Sequence, residues 1–293
     1  MSKRLNKMLA AGVVMLSLLA GLVGCSAGFD TKGMNYKWVK ENRYICHALG
    51  EIDGCSYTNS KEAFLENYKK GYRVFEIDLK YTSDDKLVMI HSWRNRDLKK
   101  LIGLKRDKEK NKTPLSYDEF INSKIYGKYT PLSFEAFAEL IADYPDIYVV
   151  LDGKYGQDEQ DLLAKEYREI YDILAEKAPD MLDRIIPQIY FEDMYDTIMS
   201  VYKWKSVIYT WYAFDEDPDF DALREMDFAL EKGIEVITMN EDRQRDLEEK
   251  GLFKEELLKR KFIPYVHTIN DAAQRDELKE RGVYGFYTDS LLD

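Results

Sequence analysis

Apolar and polar positions along this chain alternate between two periods. Short apolar runs at 44–46, 74–79, 87–90, 147–151, 185–189, 207–209, 234–239, 262–266 and 284–287 predict strands. Between or after them, helical spacing predicts helices at about 62–71, 134–141, 162–174, 192–201, 220–232, 243–250 and 271–281. Ser60 is placed to cap the first of these and Gly71 to stop it. Strand followed by helix, repeated, implies a parallel sheet. The length suits one α/β barrel of about 250 residues. Nine extended segments compete for eight barrel places, so one is no strand or lies outside the barrel. Thr82, Ser83, Asp84 and Asp85 form a turn too short for a crossover helix, which predicts an irregular barrel. No internal repeat, low-complexity tract or second-domain linker interrupts the pattern.

Chemistry concentrates between Cys46 and His91, a stretch with two of the chain's three histidines. Glu76 and Asp78 lie two apart on a strand, so both emerge on one face while Phe75, Ile77 and Leu79 take the other. Paired carboxylates in a dry site raise each other's pKa, and a divalent cation with oxygen ligands is the simplest partner for them. His47 and His91 each close an apolar run, where parallel-sheet proteins carry their working residues. Imidazole transfers protons near neutral pH. Singly, each of these residues is more ordinary as a packed histidine or a structural ion pair, but the ordered set points to metal-assisted acid and base chemistry. Lys154, two residues from Asp152, shares its strand face and suits a phosphate contact or a plain charge partner. Tyr209 and Trp211 near the end of another strand, with Trp93, are offered as pocket walls.

The order His47, Asn59, Glu76, Asp78, His91 resembles the glycerophosphodiester phosphodiesterase family, within the phosphatidylinositol-phospholipase-C-like phosphodiesterase superfamily. The likeness continues through Tyr129, Thr130, Pro131 and Leu132, through Leu151, Asp152, Gly153 and Lys154, and through the last two strands with His267, Asn270 and Asp289. The resemblance implies an irregular TIM (β/α)8 barrel with an insertion after the third strand. It implies one divalent cation, Ca²⁺ or Mg²⁺, held by Glu76, Asp78 and Asp152. His47 and His91 would share general acid and base duty, Lys154 would meet the substrate phosphate, and Asn59, Trp93, Trp211 and His267 would border the pocket. The implied reaction is hydrolysis of glycerophosphodiesters to glycerol phosphate and an alcohol, by a cyclic phosphate or by direct attack of water. Phospholipase cleavage of the C or D type, or a noncatalytic phosphodiester-binding lipoprotein, are the alternatives. Departures from the family are Ala48 and Leu49 after His47 in place of arginine, Asp152 for glutamate, Ser92 for aspartate and His267 for tryptophan.

Residues 1–24 read as a lipoprotein signal peptide: Lys3, Arg4 and Lys7 precede an apolar stretch from Met8 to about Leu22, and Leu22, Val23, Gly24 and Cys25 resemble a bacterial lipobox. Lipidation at Cys25 would anchor the protein to the extracytoplasmic face of a bacterial membrane without embedding it. Residues 25–40 form the lipidated cysteine and a polar tether, and 41–293 a single phosphodiesterase domain. Removing the basic signal leaves a body three units more negative than the whole chain's −11, which argues against nucleic acid as a partner. No protein partner is implied. Cys46 and Cys55 remain, either as a disulfide beside His47 or as two free thiols. The insertion, about 92–130, reverses the overall sign: between Arg94 and Lys112 nine basic residues face three acidic ones. It leaves the strand just after His91, so it should overhang the active face and draw in anionic substrate, or else be a solvated loop.

Overall fold

The computed structural model describes residues 33–211 and 220–292. The signal peptide, Cys25 and the start of the expected tether lie outside the described residues.

Eight parallel strands close on themselves: β1 (Tyr44–Cys46), β2 (Val74–Tyr81), β4 (Tyr148–Asp152), β5 (Ile185–Ile189), β6 (Ile208–Thr210), β7 (Val236–Met239), β8 (Ile263–Val266) and β9 (Gly285–Thr288). Pairing of β9 with β1 and of β1 with β2 completes the ring. Their side chains are almost all buried, as expected of strands covered on both faces. Helices α2 (Lys61–Lys70), α5 (Phe134–Ile141), α6 (Gln160–Lys177), α7 (Glu192–Val201), α8 (Ala222–Lys232), α9 (Glu241–Glu249) and α10 (Ala272–Arg281) surround the ring, a TIM (β/α)8 barrel. Their ends follow the sequence. The Ser60 hydroxyl accepts from Ala63 N–H at the start of α2, and Gly71 ends it in the left-handed conformation.

The surplus ninth strand is β3 (Leu87–Met89), which runs antiparallel to β2 outside the barrel. The tight turn between them is closed by Thr82 N–H on Lys86 C=O and by Lys86 N–H on the Thr82 hydroxyl. His91 therefore ends no parallel strand. The hairpin folds it back until Ile90 N–H reaches Asp78 C=O, level with the acidic positions of β2.

The expected tether ends before Lys40. Met34, Tyr36, Trp38 and Val39 are buried, the last two on the short helix α1 (Lys37–Glu41). Trp38 donates to the Ser206 hydroxyl and packs near the rings of Tyr148 and Tyr265, while Tyr36 OH donates to Val207 C=O. This segment closes the barrel at the N-terminal ends of its strands. The insertion is also more ordered than a solvated loop. It carries α3 (Asn95–Ile102), which buries Leu98 and Leu101, and α4 (Tyr117–Ile121), which buries Phe120 against Trp93. Arg106 ties it together by donating to Trp93 C=O, Thr113 C=O and Asn95 Oδ1. Cys46 and Cys55 are both free thiols, the first buried and the second half-buried.

Candidate active site

The strand ends of one rim bring the site together. Asp152 is the last residue of β4, and His47, Tyr190, His267 and Asp289 each directly follow β1, β5, β8 and β9. Within the barrel, Asp78 on β2 stands in register with Asp152 on β4. Alternation along β2 sends Glu76 to the same face, and oxygens of all three carboxylates lie within 4.8 Å of one another in buried surroundings.

Each carboxylate is aimed by a dedicated neighbour. Glu76 accepts from the backbone N–H of Ala48 at 2.7 Å, because residues 48–50 all turn through positive φ directly after His47. Gly50 is required there: a β-carbon would stand 2.5 Å from Asn67 Nδ2, which itself donates to Leu49 and Glu51 carbonyls to hold the turn. Asp78 is gripped from both ends by Asn59, whose amide donates to Oδ2 at 2.9 Å and accepts from Asp78 N–H at 3.2 Å. Asp152 accepts from Tyr190 OH, which in turn accepts from Gln188, and Gln188 accepts from Tyr287 OH. Lys154 bridges two of the acids, 2.7 Å from Asp78 and 2.6 Å from Asp152.

The residues fit a hard divalent cation. Burial and the Asp78 charge push Glu76 up to about 8, so one ammonium does not neutralise three buried acids. Burial alone would raise Asp78 as well, but Lys154, His91 and His47 together hold it well below the usual carboxylate range. Binding Ca²⁺ or Mg²⁺ at pH 7 is therefore expected to release about one proton, the one on Glu76. Calorimetry in two buffers of different ionisation enthalpy reads this directly. No release at pH 7 would show Glu76 already ionised.

The two imidazoles differ in setting. His47 Nδ1 lies 2.9 Å from Asp289 Oδ1, and Asn270 fixes the carboxylate by donating to its other oxygen at 2.7 Å. Burial would lower His47, yet the bond to Asp289 and the charges of Glu76, Asp289 and Asp78 prevail and bring it to about 9. His91 is lowered, by burial first and then by Lys154, against the pull of Asp78. Tyr57 stands edge-on between the two rings, 4.7 Å from His47 and 5.2 Å from His91 between centroids.

All five residues expected to carry the chemistry, and Lys154, thus meet at one mouth, with Asn59 behind Asp78. His267 lines a small cleft of about 40 Å³ with His47, Glu76, Asp152 and Gln188. Burial, followed by the His47 and Lys154 charges, pushes it down to about 3, so it is neutral there. Trp93 donates to Tyr81 C=O and lines a larger cavity beside His91. Trp211 does not wall the pocket. With Tyr209 it faces the surrounding helices, fully buried against Phe220, while Thr210 takes the opposite face. Asp289, Asn270, Tyr57, Tyr190 and Gln188 were given no role from sequence. Position directly after the last strand was the available signal for Asp289.

Comparison with known proteins agrees with this fold. Solved structures with the same fold include proteins described as glycerophosphoryl diester phosphodiesterase from Silicibacter pomeroyi DSS-3 (16% identity, 84% of this chain and 89% of that one, TM-score 0.65) and glycerophosphodiester phosphodiesterase from Parabacteroides distasonis ATCC 8503 (16%, 84% and 92%, 0.61). A phosphodiesterase of Oleispira antarctica, solved with the product sn-glycerol-3-phosphate, aligns at 15% identity over 85% of this chain and 93% of its own, with TM-score 0.60. No curated protein matches the chain by sequence. The profile of the glycerophosphoryl diester phosphodiesterase family matches residues 53–292, nearly the whole barrel with its acids and His91, and the chain belongs to that family of phosphoric diester hydrolases.

Proposed function

We propose that this protein hydrolyses glycerophosphodiesters to glycerol phosphate and an alcohol, using one divalent cation, Ca²⁺ or Mg²⁺, and two histidines. The observation that carries this reading is the meeting of three buried carboxylates with two differently tuned imidazoles at a single rim. Glu76, Asp78 and Asp152 would hold the ion, which would supply positive charge to the reacting phosphodiester. His91, neutral near pH 7, takes the proton of the attacking hydroxyl, whether from the substrate's glycerol or from water. His47, kept protonated by Asp289, delivers a proton to the departing alkoxide oxygen. Lys154 offsets charge that develops on the phosphoryl oxygens. The product bound by the Oleispira antarctica relative is the one this reading assigns here. The lipobox-like residues 22–25 support membrane anchoring through Cys25.

Release of glycerol phosphate from glycerophosphocholine is the direct assay. Activity should vanish on chelation and return with Ca²⁺ or Mg²⁺. Binding without turnover under every ion tested would reject the enzymatic reading in favour of a phosphodiester-binding lipoprotein.

A further inference from the structure

Beside His91, on the side away from the small cleft, lies a cavity of about 690 Å³ bordered by Lys80, Arg94, Lys112, Lys154 and Glu159. That is room enough for a group well beyond the scissile phosphate. Four cations face one carboxylate, and Glu159 is engaged in capping its own turn by accepting from Gly156 N–H at 2.8 Å. Lys154 is committed to Asp78 and Asp152. Lys80, Arg94 and Lys112 have no ion pair or side-chain hydrogen bond among the described residues. Three cations without an ion pair thus converge on one wall of a cavity beside His91. Two other cations of the insertion are engaged elsewhere, Arg96 with Asp97 and Arg106 with carbonyls.

Lys80 is the telling member. It sits on β2 two residues beyond Asp78, so alternation turns it to the same face as Glu76 and Asp78. Two residues along a strand advance about 7 Å. That matches the reach of a three-carbon alcohol between two phosphorus atoms.

We propose that this cavity is a second anion subsite, which accepts a leaving group that itself carries a phosphate, so that the preferred substrates hold a further phosphate one glycerol away from the scissile one. The proposal rests on the phosphodiesterase reading above and extends it to a substrate class. Two ammonium groups and a guanidinium suit a dianion or a chain of diesters better than a neutral headgroup.

The test compares glycerophosphoglycerol with the same molecule bearing a terminal phosphate on its leaving glycerol. The wild-type protein is expected to favour the phosphorylated substrate by roughly tenfold or more in kcat/KM at low salt. Lys80→Gln, and separately the double variant Arg94→Gln with Lys112→Gln, should shrink that ratio toward one by raising KM for the phosphorylated substrate. Lys108→Gln, an exposed cation of the same insertion outside the cavity, should leave the ratio unchanged. Equal rates on both substrates, or a ratio untouched by either cavity variant, would overturn the subsite. So would an equal loss in Lys108→Gln, which would mark long-range attraction instead. If neither substrate is cleaved, it is the phosphodiesterase reading that has failed.

Discussion

Changing His91 or His47 to alanine is expected to lower kcat on glycerophosphocholine by about 10²- to 10⁴-fold, the usual worth of a positioned proton donor or acceptor. KM should move far less, since neither ring is the main grip on the phosphate. Combined, the two changes should fall well short of multiplying, because acid and base act on one reaction coordinate. The pH profile separates their roles. Activity needs His91 neutral, so the acid limb reports His91 and should lie below its ordinary 6.5. It also needs His47 protonated, so activity falls as pH rises through the His47 value, about 9 before an ion binds. A bound cation offsets Glu76 and Asp78, two of the charges that raise His47, and should draw this limb downward. Asp289→Asn removes the pairing anion and should shift the alkaline limb to lower pH while leaving the acid limb in place. An acid limb that moves instead would exchange the two assignments, and a His91→Ala variant keeping a tenth of wild-type kcat would remove His91 from the chemistry.

The second large effect carries opposite signs in two measurements. Glu76→Gln should abolish most cation binding and lower kcat/KM by about 10³-fold, since one of three anionic ligands becomes neutral. The same change should stabilise the ion-free fold. Glu76 has its folded pKa raised from 4.5 to about 8, so its favourable contribution is complete below pH 4.5 and is lost as pH rises through about 8. Glutamine keeps an acceptor for Ala48 N–H without the charge. The Tm gain over wild type should thus be larger at pH 9 than at pH 6, with chelator present throughout. A Tm that falls equally at both values would mean Glu76 is held ionised and balanced in the fold.

Much of the barrel was legible because its strands are covered on both faces and read as unbroken apolar runs, as at 185–189 and 262–266. The misplaced pieces share a cause. β3 is as apolar as any barrel strand, and only pairing distinguishes it: the five-residue turn forces it antiparallel, outside the ring. Helix α1 is too short to show a period, so Trp38 and Val39 vanished among the polar residues around them. Two members of the acidic cluster are visible because Glu76 and Asp78 sit two apart on one strand. Asp289 carries no local sign of its role, since its partner His47 lies 242 positions away and no local pattern links them. The aromatic type of Trp211 suggests a pocket wall, but alternation from Thr210 turns it outward against Phe220. Strand parity was the better guide there.

The floor formed by residues 34–39 has a consequence for orientation. It seals the end of the barrel opposite the rim that bears His47, Asp152 and Asp289, so the described chain begins at the underside. Eight residues from Cys25 to Gly33 span at most about 29 Å when fully stretched. With a diacylglycerol on Cys25, such a leash would hold the underside against its lipid leaflet and leave the opening turned outward. Were Cys25 lipidated, that geometry would favour soluble or polymeric diesters over the phospholipids beneath the protein.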